Sequence, residues 1–217
     1  MTHHRLKIFF FLIVFGSSFL FSQVAPDEAL KYLESGNSRF VSGQPSKKDL
    51  AGEVKKLQNG QSPYAVILTC SDSRVPPELL FDESLGRLFV IRLAGNVATA
   101  EAIGSIEYAV EHLGSQLVVV MGHLKCGAVS AAISGGETTP NIEKLIHYIE
   151  PAVKEARLTR EVPDLVTACV EINVKHQMKN LVGHSNLLEE KMASGSLKIV
   201  GGVYDLSTGK VMITEKQ

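Results

Sequence analysis

One segment of the chain reads Ala65-Val66-Ile67-Leu68-Thr69-Cys70-Ser71-Asp72-Ser73-Arg74. Its first four residues are apolar without alternation, which is typical of a strand buried on both faces of a parallel sheet. Two later runs share this pattern, Leu88-Phe89-Val90-Ile91 and Leu117-Val118-Val119-Val120-Met121. Strands that alternate with helices predict an α/β fold, here a parallel-core β-sheet flanked by helices with right-handed crossovers. The helical patterns lie at 101–113, 128–133, 139–157 and 161–182.

Both ends of the predicted sheet carry further elements. Residues 27–60 predict an N-terminal helical arm of two helices, with Asp27 as the cap of the first. Near the carboxyl terminus, Leu197–Tyr204 and Lys210–Thr214 predict two final strands joined by a turn. We find neither an internal repeat nor a linker that would divide the chain. Residues 23–217 are therefore expected to form a single domain.

The composition excludes several classes of protein. The 217 residues are 45% hydrophobic and 21% charged, which excludes a disordered tail. A formal net charge of -1 leaves no basic excess to neutralise phosphates, so we expect no nucleic-acid partner. The chain has no Trp and only 6% aromatic residues, which argues against a stacking surface for bases or sugars.

The amino terminus has the pattern of a secretory signal peptide. Arg5 and Lys7 precede an apolar run from Ile8 to Phe21. That run is shorter than the roughly 20 residues that a membrane-spanning helix needs. We therefore expect residues 1–22 to be removed after Ser22, and the mature protein to be exported, to a periplasmic space, without membrane association. The alternative is an uncleaved membrane anchor.

Two segments with reactive side chains follow two of the predicted strands. Cys70-Ser71-Asp72-Ser73-Arg74 follows the first strand, and Gly122-His123-Leu124-Lys125-Cys126-Gly127 follows the third. Because the carboxyl ends of parallel strands meet at one crevice, we expect the cysteines, the histidine and Asp72 to lie together. Two thiolates and an imidazole fill three tetrahedral positions of Zn²⁺, and an open fourth position is typical of catalytic zinc.

The side chain of Asp72 decides what happens at that fourth position. If Arg74 holds Asp72 through a bidentate ion pair, the fourth metal position is open to water. If Asp72 binds the metal, the site is closed. Zn²⁺ with two thiolates and a neutral imidazole has no net charge, so we expect weaker activation of water than at a three-histidine site, and an alkaline optimum.

The cysteines allow a competing interpretation. An exported compartment favours disulfides, so a Cys70–Cys126 disulfide in a plain exported domain is the serious alternative to a metal site. Cys169 lies in an apolar helical run and is predicted to be a core residue. Four other histidines have no matched partners in the sequence and are interpreted as surface or structural residues: His112, His147, His176 and His184.

The two reactive segments resemble the signature segments of the β-class carbonic anhydrases. The resemblance extends from Gly36-Asn37-Ser38-Arg39-Phe40 to Tyr204-Asp205-Leu206-Ser207-Thr208-Gly209-Lys210. It implies reversible hydration of carbon dioxide to bicarbonate and a proton by zinc-bound hydroxide. It also implies that Asp72 and Arg74 form a catalytic dyad that controls the fourth zinc position. The zinc ligands that it implies are Cys70, His123 and Cys126.

The resemblance further implies a substrate pocket and a homo-oligomer, either a homodimer or a homotetramer. The family glutamine that Gln61 matches hydrogen-bonds the substrate, often across the dimer interface. The segment Arg92-Leu93-Ala94-Gly95-Asn96 resembles the subgroup whose resting site is open, with water on zinc. The pocket residues that the resemblance implies are Gln61, Phe89, Ala94, Gly95, Tyr108 and Gly127.

Two other functions fit the same residues. A related enzyme would hydrolyse carbon disulfide or carbonyl sulfide at the same site. A non-catalytic protein would bind zinc or bicarbonate with Asp72 permanently on the metal.

Overall fold

The structure is a computed structural model, and it describes residues 24–158 and 164–216. The predicted signal peptide, residues 1–22, lies outside the described residues. No helix within the two described ranges is long and apolar enough to cross a bilayer.

The described strands form one mixed sheet with a parallel core. Its spatial order is β2-β1-β3-β4-β5; the first four strands run parallel and β5 pairs antiparallel with β4. The predicted fold class is confirmed, since helices flank this sheet. The strands are β1 (Ala65–Thr69), β2 (Leu88–Arg92), β3 (Leu117–His123), β4 (Lys198–Tyr204) and β5 (Val211–Lys216).

Eight α-helices and one 3-10 turn are present in the described residues. They are α1 (Pro26–Val41), α2 (Leu50–Leu57), α3 (Pro77–Leu80), the 3-10 turn (Ala94–Asn96), α4 (Ala100–His112), α5 (Gly127–Ser134), α6 (Pro140–Leu158), α7 (Leu165–Gly183) and α8 (Asn186–Ala193). Our sequence analysis missed α3, α8 and the 3-10 turn. The predicted cap of α1 is wrong. Pro26 begins the helix, where its fixed φ suits the first turn, and Asp27 lies inside that turn.

The continuous apolar runs are explained by burial on both faces of the sheet. Val66 and Val118 face one core layer, which they share with α4, α6 and α7. Ile67 and Val119 face the second layer, which α1 covers. All five residues of β1 and all seven of β3 are buried, so these strands have no alternating polar positions.

The N-terminal arm is attached to this body by the carboxylate of Asp82. Its side chain is 1% exposed and accepts hydrogen bonds from Arg39 Nε (2.6 Å), Lys48 Nζ and the Ser46 backbone N–H (2.8 Å). Burial opposes the charge, but these donors hold the pKa of Asp82 well below its usual range. The arm's second helix, α2, contains no buried residue.

Candidate metal centre

The two reactive segments meet at the carboxyl edge of the sheet, as predicted. Thr69 ends β1 and lies in register with Met121 of the neighbouring parallel strand β3. Cys70 follows β1 directly, His123 is the last residue of β3, and Cys126 is the residue before α5. Their ligand atoms all lie within 4.8 Å of one another, and all three residues are buried. This group fits a soft metal ion such as Zn²⁺.

The orientation of His123 shows which ring nitrogen is available for a metal. Nδ1 lies 2.9 Å from the carbonyl oxygen of Leu124 and donates its hydrogen to it. Nε2 is therefore left with a lone pair, and it is buried without a hydrogen-bond partner in the described residues. Among the described residues, the only other buried side-chain nitrogen or oxygen without a hydrogen-bond partner is Asn96 Nδ2. A histidine held through one nitrogen with the other orphaned has the arrangement of a metal ligand.

The two thiols are free and share hydrogen bonds. The thiol of Cys126 lowers the pKa of Cys70 most strongly, against the effect of burial, and the Gly95 N–H adds to the lowering. The pKa of Cys126 is raised, because it keeps its hydrogen beside the Cys70 sulfur. The predicted Cys70–Cys126 disulfide alternative is wrong for this structure, since Cys70, Cys126 and Cys169 are all free. Cys169 is fully buried, in the apolar core.

Asp72 lies beside the metal group but is paired with Arg74. Its Oδ1 accepts hydrogen bonds from the Arg74 backbone N–H (2.9 Å) and Nε (2.9 Å), and its Oδ2 from Nη2 (2.7 Å). These bonds hold the pKa of Asp72 well below its usual range. Asp72 Oδ2 lies 3.9 Å from His123 Nε2. The carboxylate is therefore ionised, close to the metal position, and held by the guanidinium.

One residue that our sequence analysis left without a role supports this loop from the neighbouring strand. Arg92 ends β2, and its guanidinium donates to the carbonyl oxygens of Asp72 (2.6 Å) and Cys70 (3.2 Å). The signal in the sequence is a charged residue that closes an otherwise apolar strand. Only the tertiary structure shows that its target is the loop after β1.

Three of the predicted pocket residues lie at this edge. Gly95 donates its N–H to Cys70 Sγ (3.3 Å), and Ala94 precedes it in the 3-10 turn. Gly95 has φ +76°, and a Cβ there would come within 2.6 Å of Ile149 Cδ1, so glycine is required. Gly127 begins α5 directly after Cys126, which places the amino end of that helix beside the metal group.

The other three predicted pocket residues lie at the opposite edge of the sheet. Gln61 precedes β1 whereas Cys70 follows it, and five strand residues span roughly 16 Å. Phe89, near the start of β2, contacts Tyr108 of α4 with ring centroids 6.3 Å apart. Gln61 lines a cavity of about 580 Å³ at this amino edge. One chain therefore does not bring Gln61, Phe89 and Tyr108 to its own metal group.

Comparison with known sequences decides the family. The sequence model of a family described as "Carbonic anhydrase" matches residues 65–211, and carbonic anhydrase 2 of Mycobacterium tuberculosis is 38% identical over 195 residues, covering 88% of this chain and 93% of that protein. This chain belongs to the β-class carbonic anhydrases. A carbonic anhydrase of Synechococcus elongatus is 33% identical over 194 residues, covering 84% of this chain and 70% of that protein.

Solved β-carbonic anhydrases have the same fold. The Coccomyxa β-carbonic anhydrase, solved with acetazolamide, superposes with a TM-score of 0.70 at 28% identity and covers 77% of this chain and 79% of its own. The enzyme CafA of Aspergillus fumigatus gives 0.69 at 27% identity, with 87% and 90% coverage. The protein is thus a carbonic anhydrase enzyme, a lyase with zinc as its cofactor, and its Cys–His–Cys group is positioned to bind the metal.

Proposed function

We propose that this β-carbonic anhydrase hydrates carbon dioxide reversibly, with zinc held by Cys70, His123 and Cys126. The observation that carries the proposal is the buried Nε2 of His123, which has no hydrogen-bond partner in the part of the chain that the structure describes. It belongs to a group whose ligand atoms all lie within 4.8 Å of one another. Zinc, when bound, lowers the pKa of a water molecule and supplies a nucleophile at moderate pH.

Asp72 and Arg74 are proposed to keep the fourth metal position open. The carboxylate oxygens of Asp72 already accept three hydrogen bonds from Arg74, two of them from the guanidinium. To bind a metal ion, the carboxylate would have to give up at least part of this charge-assisted pairing. While it stays on Arg74, Asp72 Oδ2 remains 3.9 Å from His123 Nε2 and can accept a hydrogen bond from a nucleophile held beside it.

The substrate oxygen is proposed to lie at the amino end of α5. The first N–H groups of a helix have no partner within that helix, and they favour developing negative charge. Gly127 is the first residue of α5 and follows the ligand Cys126 directly. Its missing side chain leaves open space there, since a Cβ at Gly127 would meet no atom within 4 Å. A small apolar substrate can therefore approach this backbone closely.

A second copy of the chain is proposed to complete the pocket. Gln61, Phe89 and Tyr108 lie at the amino edge, where Tyr108 is 49% exposed. The helix α2 beside that edge exposes Leu50 and Val54, at 51% and 60%. An apolar surface of this kind is typical of a protein–protein interface. The enzyme is therefore proposed to be at least a homodimer, with a homotetramer as the larger form.

The protein is proposed to work after export, with residues 1–22 removed, in the periplasm. The proposal rests on the basic start and short apolar run of the amino terminus. Of the three cysteines in the remaining chain, two are committed to zinc in this proposal, and bound zinc would protect them from oxidation in a compartment that favours disulfides.

The deciding experiment is stopped-flow hydration of carbon dioxide by the zinc-loaded mature protein. We expect one zinc per chain and a rate far above that of buffer alone. The same sample, assayed with carbon disulfide and carbonyl sulfide, tests the alternative hydrolase. If the zinc-loaded protein converts none of these three substrates faster than buffer does, the proposal is overturned in favour of a non-catalytic binding protein.

A further inference from the structure

Two buried amide side chains lie behind the metal group on a helix that carries no proposed ligand. Asn173 and Gln177 are one turn apart on α7, and both are fully buried. Asn173 Nδ2 donates to the carbonyl oxygen of Gly95 (2.9 Å), and Gln177 Oε1 accepts from the Ala98 N–H (2.9 Å). Helix α7 therefore holds the loop after β2 at two points.

Gly95 links this helix to a proposed metal ligand through the two peptide groups on either side of its Cα. Its carbonyl accepts from Asn173, and its N–H donates to Cys70 Sγ at 3.3 Å. Gly95 and Asn96 have φ of +76° and +47°, a left-handed conformation that glycine and asparagine adopt more readily than other residues. This turn directs the Gly95 N–H at the sulfur, and Asn173 holds the carbonyl of Gly95 from outside the loop.

The amide of Asn173 has one possible orientation in this arrangement. Its Oδ1 accepts from Gln177 Nε2 (2.9 Å), which also donates to the carbonyl oxygen of Tyr148 (2.9 Å). Because Gln177 supplies the hydrogen, the NH₂ group of Asn173 must face Gly95. The network is buried and satisfied at each of these contacts, which is the condition under which polar groups specify a single geometry.

We propose that Asn173 is a positioning residue for the metal thiolate: by holding the Gly95 carbonyl, it directs the Gly95 N–H at Cys70 Sγ. The inference rests on the proposed role of Cys70 as a zinc ligand. A hydrogen bond to a ligating sulfur withdraws electron density from it, and hydrogen bonds around ligands tune the metal that they hold. Asn173 would thereby make the metal a stronger Lewis acid without touching metal or substrate.

The test replaces Asn173 and follows the sulfur directly in cobalt-substituted protein. Asn173→Leu keeps a similar volume and removes the donor, so we expect the thiolate-to-cobalt charge-transfer band to move to lower energy. We expect kcat of the zinc enzyme to fall roughly tenfold, at the lower end of the about 10–100-fold losses typical of such supporting residues, with KM unchanged. Lys179→Leu is the control, because Lys179 is exposed on the same helix and takes no part in the hydrogen bonds described above.

A second variant keeps the test decisive if Asn173→Leu does not fold. Asn173→Asp keeps the shape and the acceptor for Gln177 but places an oxygen against the Gly95 carbonyl, so the band should again move to lower energy. If the charge-transfer band does not move and kcat does not change in whichever of these variants folds, Asn173 contributes only to core packing and the inference is overturned. A wild-type cobalt protein with a thiolate band but no hydration activity would instead contradict the proposed function. A wild-type protein without any thiolate band would overturn both.

Discussion

The two edges of the sheet differ in whether the residues of one chain form a complete site there. At the carboxyl edge, Cys70, His123 and Cys126 converge, and Asp72 already has its partner in Arg74. At the amino edge, Gln61, Phe89 and Tyr108 lie a strand's length from the metal group of their own chain. Folding of one chain is therefore enough to assemble the proposed metal centre, whereas the proposed pocket needs association of two chains.

The largest effect should come from breaking the carboxyl edge itself. Cys126→Ser replaces a soft thiolate donor with a hydroxyl, so we expect zinc to be lost and hydration to fall to the buffer rate. Metal analysis and stopped-flow assay of the same sample measure both. Cys169→Ser is the matched control, because that thiol is also buried but does not belong to the metal group, so its replacement should leave zinc bound. Full zinc content in Cys126→Ser would contradict the ligand assignment.

The next effect should come from releasing Asp72. Arg74→Ala removes the guanidinium, so Asp72 is expected to move to the fourth metal position and turnover to fall about 100-fold or more, while zinc stays bound. The cobalt spectrum of this variant should lose its dependence on pH. The double variant Arg74→Ala with Asp72→Asn is the control, since it has no carboxylate to close the site and should regain the pH-dependent spectrum. Full turnover in Arg74→Ala alone would refute the gating role.

Mixing experiments would test whether the two edges come from different chains. Gln61→Ala damages the amino edge, and Cys126→Ser damages the carboxyl edge. If the pocket is shared, a mixed dimer has one intact site, in which the Gln61→Ala chain supplies the metal group and the Cys126→Ser chain supplies Gln61. Coexpression should then restore activity that neither variant has by itself. Failure to restore activity in dimers shown by mass to be mixed would place Gln61 outside the active pocket.

Association can also be weakened directly. Val54→Glu places a charge on the exposed apolar face of α2, and we expect it to lower the mass measured by sedimentation and to reduce hydration, with zinc retained. Leu158→Glu is the matched control, because Leu158 is 83% exposed at the end of α6. An equal loss of association in both variants would show that α2 is not a specific interface.

The smallest effect on catalysis should come from the attachment of the arm. Asp82→Asn removes a buried charge from Arg39 and Lys48, and we expect a loss of about 1–3 kcal/mol in the free energy of unfolding, with zinc retained. The folded-state pKa of Asp82 is depressed, so its contribution is present above the unfolded pKa of about 3.9 and is lost as pH falls further. Denaturant unfolding of both proteins should therefore show a difference at neutral pH that narrows below about pH 4. A difference that persists at lower pH would show that the charge is not responsible.

The strands were predictable because their environment is uniform. Residues such as Val66 and Val118 lie in runs buried on both faces, so local composition alone indicates the element and its approximate bounds. Helix α3 has only four residues, Pro77–Leu80, so it is too short to show a periodic pattern, and the prolines at its cap and first position, Pro76 and Pro77, indicate a turn. The cap of α1 was mispredicted because Asp27 has the right chemistry and Pro26 the right backbone, and the backbone constraint prevailed.

The set of metal-binding side chains and the edge of the sheet where they gather could be read from the sequence, because Cys70 directly follows one strand, His123 ends its parallel neighbour, and those ends must lie together. The contacts that reach the site from other elements exist only in the folded chain. Arg92 reaches the Cys70 loop from β2, and Asn173 reaches Gly95 across 78 positions of the chain. The fold also separates Gln61 from Cys70, nine positions away, because an extended strand lies between them. Residues at the two ends of a strand are close in sequence but far apart in space. Packing, in contrast, brings together residues whose spacing in the chain carries no periodic signal.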